Sequence, residues 1–109
     1  MNYEIEFSEQ AEMDLRGIYE YIAFTLHAPI NAGKQLERLE KNITELTSMP
    51  SCFKEYEKEP WRSRGLRMMP VDNFIVFYLP DEKKKLVTII RIIYSGRDMN
   101  VELEENMVY

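Results

Sequence analysis

Two long apolar runs in the second half of the chain constrain its fold most strongly. Phe74 to Leu79 and Leu86 to Tyr94 carry apolar side chains at both odd and even positions, and only Thr88 and Arg91 interrupt the second run. Strands with this pattern are covered on both faces and lie in the interior of a sheet. The charged segment Pro80 to Lys85 joins them as a short hairpin loop, so the sequence predicts that they pair antiparallel.

Two further strands are predicted around this pair. Leu66 to Val71 precedes the first apolar run, and Asp72 and Asn73 turn the chain between them. Near the N-terminus, residues 3–7 alternate aromatic or aliphatic side chains with Glu4 and Glu6. This alternation predicts a strand with one polar face, which suits the edge of a sheet.

Residues 8–50 have the spacing of two helices. Ser8 offers an N-cap for the first helix, and Pro29 ends it and begins the second. The first helix has an apolar stripe of Ala11, Leu15, Ile18, Tyr19, Ile22 and Leu26, and the second one of Leu36, Leu39, Ile43 and Leu46. Gly17 lies inside the first helix, where glycine costs up to ~1 kcal/mol relative to alanine, and a close helix crossing would be one reason for it. The short connection predicts an antiparallel helical hairpin.

The resulting order, β-α-α-β-β-β, predicts an α+β fold: an antiparallel sheet with an N-terminal helical hairpin packed on one face. A chain of 109 residues is one domain, here residues 1–98, followed by an acidic tail at residues 99–109. Residues 51–61 are expected to form a polar loop, anchored by Phe53, Tyr56 and Trp61.

Charge divides the chain sharply. Residues 1–60 hold 12 acidic and 6 basic side chains. Residues 61–97 hold 3 acidic and 8 basic side chains, and residues 98–109 hold 4 acidic side chains and no basic one. The net charge of -5 argues against a general nucleic-acid binder, but the middle block keeps a local anionic site possible. The candidates for binding an anion or an acidic partner are Arg62, Arg64, Arg67, Arg91 and Arg97. An arginine inside a covered strand needs a carboxylate partner, which the acidic tail or another protein could supply.

Several classes of protein are not expected. No apolar run approaches the ~20 residues that span a bilayer, so we expect no membrane association. The acidic N-terminus lacks the lysines of an export signal, and Cys52 is the only cysteine; both features favour the cytoplasm. We expect neither a cofactor nor a metal ion.

Four segments, in this order, resemble toxins of the RelE/ParE superfamily from bacterial type II toxin–antitoxin systems. They are YEIEFSEQAEMDLRGIYEYI, the second helix from Ala32 to Pro50, LRMMPVDNFIVFYLPD and IIRIIYSGRD. Together they span roughly residues 2–98. The resemblance implies a growth-inhibiting toxin, of the kind found in plasmid stabilisation, that a cognate antitoxin neutralises. It also implies that operator DNA is reached only through the antitoxin.

The resemblance leaves two mechanisms open. Members of one branch cleave mRNA on the ribosome, whereas ParE-like members inhibit DNA gyrase and are not nucleases. For a nuclease, the matching positions are Arg67 as a phosphate ligand, Tyr94 and Arg97 at the end of the last strand, and Glu57 as an acid or base in the loop with Lys54 and Lys58. The acidic pI of about 4.9 and a single histidine, His27, outside this region favour the gyrase-type inhibitor.

Overall fold

The computed structural model describes residues 2–96, which form one five-stranded sheet with a helical hairpin on one face. The strands are β1 (Glu4–Phe7), β2 (Lys54–Glu55), β3 (Arg67–Val71), β4 (Phe74–Asp81) and β5 (Leu86–Tyr94), in the spatial order β1-β5-β4-β3-β2. The contacts β2–β3, β3–β4 and β4–β5 are antiparallel, and β1 runs parallel to β5. The predicted α+β fold and the position of the first strand at a sheet edge are therefore confirmed.

The two apolar runs form the middle of the sheet because their side chains are buried on both faces. Val76 and Tyr78 of β4 face the helices, and Phe77 between them faces the other way. A β-bulge between Phe77 and Tyr78 shifts the register with β5. The turn between β3 and β4 contains Asp72 at a φ of 54°, a left-handed conformation that Asp and Asn tolerate better than most residues.

The helical hairpin consists of α1 (Glu9–Glu20) and α2 (Pro29–Glu45). The Ser8 hydroxyl accepts a hydrogen bond from the Ala11 backbone N–H at 3.0 Å, as predicted for the N-cap, and Pro29 lies at the first position of α2. The chain after α1 continues in one wider, π-helical turn, Tyr21–Thr25. This turn rotates Leu26 away from the predicted stripe, and its side chain is exposed.

Two apolar cores lie on opposite faces of the sheet. The first packs the helices on the sheet through residues that include Ala11, Leu39, Ile43, Val76 and Ile89. The second has no helical hairpin over it. Tyr56, Trp61 and Leu66 cover it instead, from the segment before β3, against Phe77, Ile90 and Ile93.

That covering segment is more regular than the predicted polar loop. It contains the two residues of β2 and a one-turn helix, α3 (Trp61–Arg64), which ends at Gly65 with a φ of 84°. The three predicted anchors do pack, but on different faces. Tyr56 and Trp61 belong to the second core, and Phe53 packs against the first.

A close helix crossing is not the reason for the glycine at position 17. A Cβ atom at this position would meet no other atom within 4 Å. None of the helices within residues 2–96 has the length and apolar character that a membrane-spanning helix needs.

Candidate functional site

The predicted nuclease residues Arg67 and Tyr94 lie far apart on the sheet. Arg67 on β3 is opposite Tyr78, and Tyr94 on β5 is opposite Phe74. Tyr78 and Phe74 are four residues apart on β4, a separation of roughly 13 Å along the strand, and β3 and β5 flank β4 on opposite sides. Groups that act on one phosphate must each reach it within about 3 Å. The structure does not bring these two side chains to one point.

Arg67 is engaged by the backbone of the chain itself. Its guanidinium Nη1 donates to the Phe53 carbonyl oxygen at 2.7 Å, which ties the start of β3 to the segment before β2. Directly opposite, burial raises the pKa of Tyr78 to about 12, and the positive charge of Arg67 opposes that shift more weakly. The Tyr78 phenol is therefore protonated at neutral pH and is unsuited to act as a general base.

Tyr94 is about half exposed at the end of β5. Its ring makes an edge-to-face contact with Phe74, with the ring centroids 5.9 Å apart. Gly96 approaches the same ring so closely that a Cβ atom there would lie 2.5 Å from a ring carbon. The ring thus packs between Phe74 and the chain that leaves the strand. Arg97, its predicted partner, lies outside the described residues.

Arg91 is neutralised within the fold. It is buried, and its Nε and Nη2 donate to the two carboxylate oxygens of Asp14 on α1 at 2.8 and 3.0 Å. The carboxylate also accepts the Ile92 backbone N–H at 2.8 Å. The sequence predicted that this strand arginine needs an acidic partner; the structure supplies it from the first helix.

These contacts close the edge of β5 beyond the end of β1. The strand β1 pairs only with residues 86–89 of β5. Past that point, the Ser8 hydroxyl donates to the Ile90 carbonyl oxygen at 2.7 Å, and Asp14 accepts from Ile92. The side chains of Ser8 and Asp14 therefore make the hydrogen bonds to the β5 backbone that a neighbouring strand would otherwise make. The sequence contained one sign of this: Asp14 lies three residues after Ala11 and four before Ile18, on the apolar face of the helix.

The remaining predicted residues lie on the exposed segment before β3. Glu57 forms an exposed ion pair with Lys54, with Nζ and Oε1 3.4 Å apart. Arg62 and Arg64 project from α3, and the Arg64 guanidinium lies 5.0 Å from the centre of the Trp61 ring. Hydrogen bonds from Ser63 hold the pKa of the Glu59 carboxyl below its usual value. Arg62 and Arg64 are thus exposed on α3, whereas Arg91 is buried beside α1, so these three predicted arginines do not present their charges together.

A groove lies between α1, the start of β4 and the end of β5, with a volume of about 810 Å³. We call it the α1–β5 groove. Its walls combine polar groups with the apolar side chains Met13, Ile18, Tyr21, Leu26, Ile92 and Tyr94. The Asp14–Arg91 pair lies on its wall, and Gln35 and Asn73 add polar atoms. Such a surface suits contact with apolar side chains better than binding of a phosphate. The described residues include no cluster of His, Cys, Asp or Glu that could hold a metal ion.

Solved structures with a similar fold are bacterial and archaeal toxins. A chromosomal ParDE system from P. aeruginosa superposes with a TM-score of 0.68 at 20% identity, covering 84% of this chain and 95% of that one. The isolated RelE toxin of E. coli superposes with a TM-score of 0.61 at 15% identity, with 94% of each chain covered. A chain of the RelBE2 toxin–antitoxin complex of Mycobacterium tuberculosis superposes with a TM-score of 0.60 at 18% identity, covering 86% of this chain and 99% of that one. At these identities the likeness shows that the chain shares the fold of these structures and no more.

The family is given by the sequence itself. Residues 5–99 match the model of the ParE toxin of the type II toxin–antitoxin system parDE, and the chain belongs to this family. No curated protein matches the chain closely enough to add a relative. The superfamily resemblance read from the four segments is confirmed.

Proposed function

We propose that this toxin inhibits growth by binding a protein target, as a ParE-type inhibitor, and does not cleave RNA. The observation that carries the proposal is the separation of Arg67 from Tyr94, together with the pairing of Arg91 to Asp14. A nuclease needs cations and an acid–base pair around one phosphate. A protein-binding inhibitor needs only a suitable contact surface, so it does not require these side chains to meet at one point.

The family match supports the same choice. The matching model is that of the ParE toxin, and the ParDE structure from P. aeruginosa has a higher TM-score than the RelE structures cited above. On this basis we propose DNA gyrase as the target and the cytoplasm as the place of action. The net charge of -5 is also compatible with a protein target, whereas work inside ribosomal RNA favours a basic chain.

We further propose that a cognate antitoxin neutralises the protein. Two of the similar structures are toxin–antitoxin complexes, RelBE2 from Mycobacterium tuberculosis and the archaeal RelE–RelB complex from Pyrococcus horikoshii. Contact with operator DNA would then be made through the antitoxin, because the toxin carries a net negative charge.

Induced expression in a bacterium tests the mechanism. Cells are followed for growth, plasmid supercoiling, the SOS response and the integrity of mapped mRNAs. We expect growth arrest with lost supercoiling, an induced SOS response and intact mRNA. Arrest accompanied by mRNA cuts at the ribosomal A site, with normal supercoiling, would establish the nuclease instead. Co-expression of the neighbouring small reading frame is the matched test of the antitoxin, and restored growth is the expected result.

A further inference from the structure

The strand β1 has one open edge. Within residues 2–96 it pairs with β5 on one side, and no strand lies on its other side. The N–H groups of Glu4 and Ser8 donate to carbonyl oxygens at and just before β5, both at 2.9 Å. Because backbone groups alternate in direction along a strand, the N–H and C=O groups of Ile5 and Phe7 point away from β5. They offer hydrogen-bonding groups to one more strand.

A second groove lies beside this open edge, between β1 and the two helices, with a volume of about 440 Å³. Its apolar lining consists of Ile5, Phe7, Leu15 and Ile43. In an added strand, the residues opposite Ile5 and Phe7 point their side chains to the same face of the sheet as these two residues do. That face carries the helices. Apolar side chains at those positions of an added strand would therefore enter the groove.

Carboxylates surround the same edge. Glu4 and Glu6 are exposed and alternate with the half-buried Ile5 and Phe7, so they point to the face of the sheet opposite the helices. Glu12 and Glu40, both exposed, line the groove. In the part of the chain that the structure describes, none of these four glutamates is in an ion pair. Their negative charge favours an occupant with basic side chains.

We propose that the open edge of β1 binds an extended segment of another protein in which apolar and basic side chains alternate. The apolar side chains, opposite Ile5 and Phe7, enter the groove between β1 and the helices. The basic side chains, opposite Glu4 and Glu6, pair with these carboxylates on the other face. In contacts of this kind the backbone hydrogen bonds supply affinity, and the alternating side chains supply specificity. The proposal does not depend on which target the toxin inhibits.

The same carboxylates disfavour a second copy of the chain as the occupant. Two β1 strands paired edge to edge would place Glu4 and Glu6 of one copy opposite the same glutamates of the other. Like charges directly opposite each other on neighbouring strands destabilise the pairing. The net charge of -5 on each copy adds to this repulsion, whereas it attracts a basic segment.

Amide hydrogen exchange of the full chain, followed by NMR, tests the proposal with a short capped peptide in which lysine and valine alternate. At saturating peptide we expect the Ile5 and Phe7 amides to exchange roughly tenfold more slowly, because they become hydrogen-bonded. The Glu6 amide, which points to β5, is the internal reference and should keep its rate. A fully N-methylated form of the peptide keeps its charge but has no backbone donors, and it should give no protection.

Charge reversal at the edge gives the matched comparison. Glu4→Lys with Glu6→Lys should weaken binding of the lysine–valine peptide at least about tenfold and create binding of a glutamate–valine peptide, which also shows that the variant is folded. Glu20→Lys with Glu37→Lys makes the same change in net charge at exposed helix positions and should alter the affinity by less than about twofold. The proposal is overturned if both double variants weaken binding equally or if the N-methylated peptide protects as well. Unchanged exchange of the Ile5 and Phe7 amides at the highest soluble peptide concentration would also overturn it.

Discussion

Asp14 is the side chain that joins α1 to the end of β5. It accepts two hydrogen bonds from Arg91 and one from the Ile92 backbone, and both charged side chains are nearly buried. The sequence showed that Arg91 needs a carboxylate but could not identify it. The partner lies 77 residues earlier in the chain, and only the packing of α1 on the sheet brings the two together.

The substitution Asp14→Asn should therefore be strongly destabilising. It removes one charge of a buried pair and leaves the Arg91 guanidinium without its counter-ion. Removal of one member of such a pair typically lowers the free energy of unfolding by about 3–5 kcal/mol. Urea unfolding at neutral pH measures the effect. Glu20→Gln, on the same helix but exposed, is the control and should change it by less than about 0.5 kcal/mol. A loss below about 1 kcal/mol for Asp14→Asn would contradict a structural role for the pair.

Tyr94→Phe and Arg67→Gln test the predicted catalytic roles. Phenylalanine keeps the ring against Phe74, and glutamine keeps a donor near the Phe53 carbonyl oxygen. If the protein is a binding inhibitor, both variants should arrest growth at the same inducer concentration as the wild type. Loss of an acid–base group from a nuclease would instead lower activity by roughly 10²–10⁴-fold. Folded protein in the soluble fraction, measured for each variant, separates a loss of activity from a loss of stability.

Among the elements, long periodic segments were predictable and short ones were not. The apolar patterns of α2, β4 and β5 each extend over at least six residues, which makes the type of each element readable from the sequence. The segment before β3 is different, because β2 has only two residues and α3 only four. Their conformations depend on where Tyr56 and Trp61 pack against Phe77 and Ile90, which no local pattern specifies. The wider turn after α1 is similarly set by the packing around it.

Gly17→Ala should stabilise α1. Glycine in a helix interior costs about 0.5–1 kcal/mol relative to alanine, and a Cβ atom at this position meets nothing within 4 Å. Thermal unfolding should show a higher midpoint. Gly65→Ala is the contrasting variant, because Gly65 has a φ of 84° and an alanine there is strained; its midpoint should fall. A lower midpoint for Gly17→Ala would mean that this position is more crowded in the intact protein than the groove wall indicates.

The turn between β3 and β4 should give stability a dependence on acidic pH. Hydrogen bonds from Arg38 and then Gln35 hold the pKa of Asp72 below its usual value. A lowered pKa in the folded state stabilises the protein above the unfolded pKa of about 3.9, and this contribution disappears as the pH falls through the folded value. Asp72→Asn, which also tolerates the left-handed backbone, should thus be less stable than the wild type at pH 7 and equal to it near pH 2.

The size of that difference should be in the range of partly exposed ion pairs, about 0–1 kcal/mol. Urea unfolding at a series of pH values measures it. Asp81→Asn is a useful comparison, because Asp81 accepts hydrogen bonds from the backbone of its own turn rather than from α2. A wild-type advantage at Asp72 that persists at pH 2 would contradict the assignment.

At the scale of the molecule, the basic residues of the middle block do not make a basic sheet. The sequence grouped them within residues 61–97 and so kept one local anionic site possible. In the fold, Arg91 is paired with Asp14, Arg67 donates to a backbone carbonyl, and Arg62 and Arg64 lie on a separate exposed helix. The predicted roles of these residues in binding an anion or an antitoxin stay predictions. No motif in the sequence indicated the α1–β5 groove, because its walls come from α1, the π-helical turn, α2, β4 and β5.

The same arrangement separates a binding inhibitor from a nuclease. A protein target contacts the outside of the molecule, so the charged strand residues of a binding inhibitor can be paired with groups of the same chain, as Arg67 and Arg91 are here. A nuclease must present them together to the RNA. The ParE family match and the acidic composition therefore support the proposal of the first mechanism.

The most direct test uses purified toxin in two parallel reactions, one with DNA gyrase and relaxed plasmid, the other with ribosomes stalled on a defined mRNA. We predict that the toxin blocks supercoiling in the first reaction in proportion to its concentration. In the second, primer extension should find the mRNA intact at the same toxin concentrations. A-site cleavage of the mRNA by the wild-type protein, lost in Tyr94→Phe or Arg67→Gln, together with unimpaired supercoiling, would contradict the proposed mechanism.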